Sequence, residues 1–425
     1  MERIEFIAVG REVLDGRVID TNSSFMAQVM KQKGHVARFA QRVGDVMDEV
    51  IDAFQVAEAR SDFIVVTGGL GPTVDDLTAE AFARYKGVAL ASRPEAVAQI
   101  QARFRSLGRE LDPKDSDNLK QAFLPVGARI LENPAGTAPG FSWEKDGSRW
   151  FFLPGVPKEM RAMLWQHVIA ALSENAAYKA MHWATQFTRE SELQARIRKQ
   201  IGIIPPQIEV IFRTRFPENH VGLEMIGHGE LGGEFDRLCG EMDRLLAPET
   251  FSRASRAEEL APLERVVIEA ARSRKARVLT VESCTGGLVA KRLTDISGSS
   301  EVVWGGFVTY DDLAKESLGV DPALIAKHGA VSEPVAKAMA EAGRYRAIGA
   351  GLQEVEVWSV SLTGIAGPTG GTPEKPVGLC HVAVAGPGGL LAHVQTQAPA
   401  LRERDENRLY FSQRALDLLW RQLKL

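Results

Sequence analysis

The sequence predicts an α/β protein in three parts: a three-layer α/β domain, a small α+β module, and a C-terminal α/β/α domain. Three observations carry this. Short apolar runs such as Phe63-Ile64-Val65-Val66 and Trp150-Phe151-Phe152-Leu153 alternate with stretches of helical spacing, as expected of a parallel sheet covered on both faces. Between about residues 180 and 250 that rhythm breaks, punctuated by Pro205-Pro206 and Pro217. After residue 257 the alternation resumes. With about 150 residues per domain as a guide, we place the domains at 1–172, 173–252 and 253–425 of the 425 residues.

The elements follow in order. Residues 5–9 read as a strand, 22–33 as a helix with Phe25, Val29 and Met30 on one side, 36–42 as a strand and 46–60 as a helix. The strands at 63–66 and 150–153 and a helix at 158–172 complete the first domain. The module reads as helix 190–201, strands 207–213 and 220–226, and helix 234–246. Residues 247–256, with Pro248 and several small or polar side chains, read as a linker. Helix 257–272 carries Leu260, Leu263, Val267 and Ile268 on one stripe. Strand signals follow at 277–281, 302–310, 356–362, 378–385 and 391–397, with helical ones at 286–293, 333–342 and 404–423.

Composition narrows the function classes. A hydrophobic content of 45% suits a packed core, and a net charge of −4 argues against an electrostatic nucleic-acid binder. Cys239, Cys284 and Cys380 are odd in number and far apart, which fits a reducing compartment without a disulfide framework. No signal-peptide core and no membrane-length apolar run is present, so a cytoplasmic protein without membrane contact is expected.

Glu282-Ser283-Cys284-Thr285-Gly286-Gly287 stands between a strand and a helix. A helix N-terminus offers unpaired N–H donors and partial positive charge, so a hydroxyl held there can attack a carbonyl while the turn amides receive the oxyanion. Serine needs a base to take its proton. No histidine lies near it in sequence, but Lys315 can serve where burial lowers a lysine's pKa, with Tyr310 relaying or orienting. Thr363-Gly364 follows another apolar strand and can present a hydroxyl and amides to a polar substrate. Arg402, Arg404 and Arg408 open the last helix, and a guanidinium there suits a phosphate. Taken singly, each feature has a plain structural reading: a helix cap at Ser283, a solvated Lys315, a packed Cys284 thiol that is also a rival nucleophile.

In the first domain, Thr67-Gly68-Gly69-Leu70-Gly71-Pro72-Thr73-Val74-Asp75-Asp76 follows a buried strand. Gly68, Gly69 and Gly71 let backbone amides approach a phosphate, and Asp75 with Asp76 can hold Mg²⁺ or a similar divalent cation. The alternative is a tight turn whose aspartates cap a helix over 77–85.

The ordered motifs at 282–287, 306–315 (Gly306 through Tyr310 to Lys315), 328–333 (His328-Gly329-Ala330-Val331-Ser332-Glu333), 363–368 and 375–378 (Lys375-Pro376-Val377-Gly378) closely resemble the C-terminal domain of the competence/damage-inducible protein A family, also the nicotinamide mononucleotide deamidase family. The resemblance implies that Ser283 is the nucleophile, with Tyr310 and Lys315 catalytic. It implies that Cys284, Thr285, Gly286, Gly306, Thr363 and Gly364 line the substrate site and that Arg404 binds its phosphate, although the family's Gly-Asp-Arg-Glu pattern is here Arg402-Glu403-Arg404-Asp405-Glu406. Gly10-Arg11-Glu12, Asp20-Thr21-Asn22, the glycine run at 68–71, Asn133-Pro134-Ala135-Gly136 and Leu153-Pro154-Gly155 are similar to the family's N-terminal domain, which resembles molybdopterin-binding domains and is implicated in metal-dependent ADP-ribose hydrolysis. Two further stretches depart from the family: Arg11 replaces a threonine, and residues 188–192 lack the expected glycines.

The resemblance thus implies a bifunctional hydrolase acting on nicotinamide mononucleotide and ADP-ribose. It needs no cofactor for the deamidation, takes a divalent cation in the N-terminal domain, and assembles as a homodimer. A molybdopterin-precursor-binding or adenylylating protein and a non-catalytic adaptor in DNA uptake or repair are the alternatives.

Overall fold

Side chains along the N-terminal strands alternate between two apolar layers, and that alternation sets the architecture. The computed structural model describes residues 2–112, 115–145, 147–172, 178–399 and 402–425. The chain divides into two units, Met1–Tyr178 with Met225–Gly232, and Lys179–Glu224 with Gly233–Leu425. Residues 173–177, the first of the middle module, lie outside the described residues.

The first unit begins with β1 (Ile4–Val9), α1 (Arg11–Leu14), α2 (Thr21–Gln32), β2 (Ala37–Val43), α3 (Met47–Arg60) and β3 (Phe63–Thr67). It continues with α4 (Thr78–Tyr85), β4 (Leu90–Ser92), α5 (Pro94–Ser106), α6 (Ser116–Lys120), β5 (Phe123–Pro125) and β6 (Arg129–Leu131). It closes with β7 (Gly140–Lys145), β8 (Ser148–Leu153) and α7 (Pro157–Met163). The main sheet runs β2-β1-β3-β8-β7-β6. Ile7, Val9, Ile64, Val66, Trp150 and Phe152 point to one face, covered by Phe54 of α3, Phe82 of α4 and Ile100 of α5. Ile4, Phe6, Phe63, Val65, Phe151 and Leu153 point to the other, covered by Met26 and Met30 of α2 and Met160 of α7. This is the expected three-layer α/β domain. The sheet is mixed rather than wholly parallel: β7 pairs antiparallel with β8, and β6 with β7. β7 and β8 are joined too closely for a crossover, which leaves only hairpin pairing. The helix expected over 158–172 ends at Met163 and gives way to a π turn over Leu164–Val168.

The second unit starts with β9 (Tyr178–Gln186), α8 (Glu190–Ile201), β10 (Ile208–Arg215), β11 (Glu218–Ile226), α9 (Gly232–Leu246) and β12 (Thr250–Ala254). Its strands form a sheet in the order β10-β11-β9-β12. Residues 247–256 are therefore not a linker. β12 pairs antiparallel with β9, Arg253 opposite Trp183, and Phe251 is buried in the core. Alternation within Thr250-Phe251-Ser252-Arg253-Ala254 outweighs the turn signal of Pro248.

Then come α10 (Leu263–Ser273), β13 (Arg277–Glu282), α11 (Leu288–Thr294), β14 (Val303–Val308), α12 (Asp312–Leu318), α13 (Pro322–His328), α14 (Glu333–Gly349), β15 (Val357–Gly364), β16 (Leu379–Gly386), β17 (Gly389–Gln397) and α15 (Arg404–Lys424). α10 starts six residues later than its stripe suggested, directly after Pro262, a residue suited to a helix entry. The five-stranded sheet runs β14-β13-β15-β16-β17. α10, α11 and α15 cover one face, with Val267, Val289 and Phe411 meeting Val278, Val360 and Val382. α14 covers the other, with Val335 and Met339 against Leu279 and Val281.

Both large sheets share one positional property. The first strand lies between the second and the third, so the chain leaves it in opposite directions. The carboxyl ends of such strands open a crevice at the switch point, where ligands of open α/β sheets bind. The loops after β1 and β3 meet at one such point, and those after β13 and β15 at the other.

Candidate active sites

Ser283 follows β13 directly. Its N–H donates to Leu362 O of β15 at 3.1 Å, and Thr309 N, just past β14, donates to Glu282 O at 2.8 Å. The three strand ends are thereby stitched around the serine. Gly286 (φ +58°) and Gly287 (φ +94°) then take two successive left-handed conformations that only glycine adopts without strain. That turns the chain sharply into α11.

The turn is organised by a residue whose role the sequence reading did not assign. Glu282 is fully buried. Its Oε2 accepts from Thr285 Oγ1 (2.7 Å), Gly287 N (3.0 Å) and Val289 N (3.0 Å), and its Oε1 from Ala290 N (2.8 Å). The carboxylate thus takes up the donors at the start of α11. Those amides are not free for an oxyanion. Among the described residues, the N–H groups of Cys284 and Thr285 have no acceptor, so the turn retains two donors beside Ser283.

Ser283 is 8% exposed, and its hydroxyl makes no hydrogen bond among the described residues. Cys284 is packed into the apolar core between α11 and β16. Its thiol meets Cys380, whose own pKa is pushed well up by complete burial and then by the hydrogen bond with Cys284. Thr285 is also wholly buried, with its hydroxyl spent on Glu282. Of the candidates on this turn, Ser283 presents a free hydroxyl, while Cys284 and Thr285 offer backbone.

Lys315 is 1% exposed and reaches back along α12 toward the strand ends. Its Nζ donates to Tyr310 O (3.3 Å), Asp311 O (3.5 Å) and Asp312 Oδ1 (3.2 Å). Tyr310 is 59% exposed, and its hydroxyl accepts from Arg404 Nη2 at 2.7 Å. Arg404 also donates to Gly367 O at 2.6 Å, so it ties the loop after β14 to the loop after β15. Four residues on, Arg408 donates to Thr285 O at 2.7 Å and sits over the glycine turn. Gly306 lies within β14 opposite Thr280, not at the strand end, and a Cβ there would meet Thr280 Oγ1 at 2.4 Å. Its absence of a side chain serves packing.

Thr363 is buried, and its hydroxyl donates to Ala330 O at 3.0 Å. Gly364 closes β15 against Leu379 and Cys380, where a Cβ would come 2.6 Å from Leu379 O. Lys375 Nζ donates to His328 O at 2.7 Å. The five ordered motifs therefore converge on one end of one sheet. Next to Thr363 in the register, His381 bonds His393 through Nδ1···Nε2 at 3.1 Å. Burial, with the His393 and Lys375 charges, lowers the His381 pKa to about 4 although Glu333 opposes this.

At the first unit's switch point, Gly68 N donates to Leu153 O (3.0 Å), and Asn22 Nδ2 to Gly155 O (2.7 Å). Gly68 (φ +100°) has no room for a side chain, since a Cβ would lie 2.1 Å from Val9 O. A cavity of about 560 Å³ is lined by Gly68, Gly69, Gly71, Asp75, Asp76, Glu12 and Asp45, among others, and Arg11 is not in its wall. Neither aspartate caps α4, which has no side-chain cap. Asp76 Oδ2 instead accepts from Thr73 N (2.8 Å) and Thr73 Oγ1 (2.6 Å). Asp45, which the sequence reading missed, has its pKa raised by burial and then by Glu12, Asp75 and Asp76, against a hydrogen bond from Arg11 N. Among the described residues, the Asn22 Oδ1 and Gln121 Oε1 atoms in this wall are buried without partners. Among the described residues, no three His, Cys, Asp or Glu side chains are arranged to hold a metal by themselves.

The fold and its two switch-point sites define a class of protein that joins a molybdopterin-binding-type α/β domain to a second α/β domain with a serine at its strand–helix turn. Residues 5–174 match the probable molybdopterin binding domain, and residues 260–423 match the CinA C-terminal domain. A CinA-like protein of Anaeromyxobacter dehalogenans strain 2CP-1 is 40% identical over 425 residues, covering 98% of each chain. One from Gloeobacter violaceus is 37% identical over 437 residues, covering 99% of this chain and 96% of its own. The chain belongs to the CinA family. The crystal structure of CinA from Thermoplasma acidophilum is 38% identical and covers 40% of this chain and 98% of its own, with a TM-score of 0.37. Among the described residues, no helix is long and apolar enough to cross a membrane.

Proposed function

We propose that the second unit hydrolyses the carboxamide of nicotinamide mononucleotide to nicotinate mononucleotide and ammonia. The observation that carries this reading is the partner-free Ser283 hydroxyl, set beside two unpaired N–H groups while the neighbouring thiol is turned into the core. Ser283 Oγ attacks the carboxamide carbon and gives its proton to Lys315. The developing oxyanion is received by the N–H groups of Cys284 and Thr285. Collapse breaks the C–N bond, the nitrogen takes a proton and leaves as ammonia, and water then hydrolyses the ester on Ser283. Tyr310 orients the exchange, held by Arg404. The substrate phosphate is met by Arg404 or by Arg408.

The first unit would cleave the pyrophosphate of ADP-ribose. The glycine amides suit phosphate, and the unpartnered Asn22 and Gln121 oxygens suit the hydroxyl or amino groups of a nucleoside. A divalent cation fits the donors present: Asp45 is short of positive charge, Asp75 stands in the same wall, and Mg²⁺ commonly takes one or two carboxylates and completes its shell with phosphates and water. Bound there, it would neutralise charge on the phosphates. The match to a probable molybdopterin binding domain sustains a second reading, in which this cavity holds a molybdopterin precursor.

The test is to assay both activities on the full chain with and without EDTA. Ammonia release should persist under chelation and ADP-ribose cleavage should stop. No ammonia from the mononucleotide under any condition would refute the deamidase reading. Saturable binding of a molybdopterin precursor without ADP-ribose turnover would favour the second reading of the first unit.

A further inference from the structure

Lys315 is buried, and its three N–H donors are all directed at oxygen: two backbone carbonyls and the Asp312 carboxylate at 3.2 Å. The Asp312 side chain is 53% exposed. The neighbouring Asp311 is occupied elsewhere, since its carboxylate caps α12 by accepting from Leu313 N at 2.9 Å. Other charged groups on the elements around α12 are also committed. Arg346 of α14 donates to Ser317 O and Leu318 O at the far end of the helix. Arg404 of α15 holds Tyr310. Glu282 of β13 is spent on α11. Among the described residues, Asp312 is thus the carboxylate bonded to the ammonium.

We infer that Asp312 is a positioning residue of the deamidation, the third member of a Ser283–Lys315–Asp312 arrangement that acts through the lysine and never touches substrate. This rests on the serine–lysine reading given above. The carboxylate acts in two ways. As Ser283 adds to the carboxamide, Lys315 becomes an ammonium, and Asp312 stabilises the charge that forms, as a buried carboxylate does for the imidazolium of a serine–histidine pair. It also fixes the amine's direction: with Tyr310 O and Asp311 O it holds Nζ at the helix end nearest the strand tips.

Removing the charge should lower the plateau rate. Because the Asp312 side chain is 53% exposed, the loss is modest, roughly threefold to tenfold. KM should stay near wild type.

The experiment is ammonia release from nicotinamide mononucleotide by the full chain between pH 6 and 10. It compares wild type, Asp312→Asn, Asp312→Glu and Lys315→Ala, with thermal unfolding of each as the fold control. The inference expects a lowered plateau at unchanged KM in Asp312→Asn, restored in part by Asp312→Glu. An unchanged plateau in Asp312→Asn, with Lys315→Ala inactive, overturns the role of Asp312 and leaves the serine–lysine reading standing. Full ammonia release by Lys315→Ala overturns both. If Asp312→Asn does not fold, Asp312→Ser replaces it, and a wild-type plateau in that folded, uncharged variant sinks the proposal.

Discussion

Replacing Glu282 with glutamine probes the turn that carries Ser283. The carboxylate accepts three hydrogen bonds at Oε2 and one at Oε1, all within 3.0 Å. Glutamine keeps the shape but turns one end into a donor. The better orientation places its oxygen at the three-donor end, which leaves the Ala290 N–H facing an amide NH₂. One amide is then unpaired and three bonds lose their charge assistance. Hydrogen bonds to charged groups contribute about 1.5 to 3 kcal/mol, and an unpaired buried donor costs a similar amount, so a local loss of about 2 to 4 kcal/mol is expected after relaxation. Hydrogen exchange on the full chain reads this directly. The amides of Gly287, Val289 and Ala290 should exchange roughly 30-fold to 1000-fold faster, because about 1.4 kcal/mol is a factor of ten and local opening sets the rate. Exchange in the β15–β16 core should stay unchanged, and ammonia release should fall with it. Exchange at those amides within about threefold of wild type would refute the reasoning, because the carboxylate would then be doing nothing for the turn.

Two further predictions concern charge. His381 has its pKa lowered to about 4 by burial, whereas an unfolded chain protonates near 6.5. Below pH 6.5 the unfolded state binds a proton that the folded state refuses, so stability is greatest above that pH and falls as pH drops toward 4, by up to about 3 kcal/mol. Denaturant unfolding of the full chain at pH 7 and pH 5 should show less acid sensitivity in His381→Gln, and equal sensitivity would contradict the burial argument. Asp45 has its pKa raised, first by burial, so a cation there competes with a proton as pH falls. Calorimetric titration of Mg²⁺ with ADP-ribose should show weaker binding at pH 5 than at pH 7, and Asp45→Asn should both weaken binding and flatten that dependence. Unaltered affinity in Asp45→Asn would place the cation elsewhere.

Much of the architecture was legible because burial writes itself into short sequence runs. Phe63-Ile64-Val65-Val66 could be nothing but an interior strand once helices flanked it, and the serine turn announced itself through Gly286-Gly287. What escaped were features set by partners distant in sequence. β9 and β12 each lack a run of apolar residues, and they are strands because Arg253 and Trp183 face each other across a sheet. Ten-residue stretches with a proline look like linkers until a neighbour strand is known. The same holds at the sites. Residue types near Ser283 pointed to a nucleophile, but nothing local says that Glu282 consumes the helix amides or that Cys284 turns inward to Cys380. Asp45 joins Asp75 and Asp76 only through the β1–β2 pairing, thirty residues upstream. Residue type alone suggests a phosphate ligand at Arg404, whereas its bonds to Gly367 O and the Tyr310 hydroxyl brace the loop after β14 against the loop after β15.

The central claim is that the oxygen at position 283, and not the sulfur beside it, carries the acyl group. Ammonia release from nicotinamide mononucleotide by folded Ser283→Ala and Cys284→Ala chains tests it most directly. The account predicts a loss of roughly 10³-fold or more for Ser283→Ala, on the scale of other nucleophile deletions, and a change of less than about tenfold for Cys284→Ala. Wild-type rates in Ser283→Ala, or abolition confined to Cys284→Ala, would contradict it.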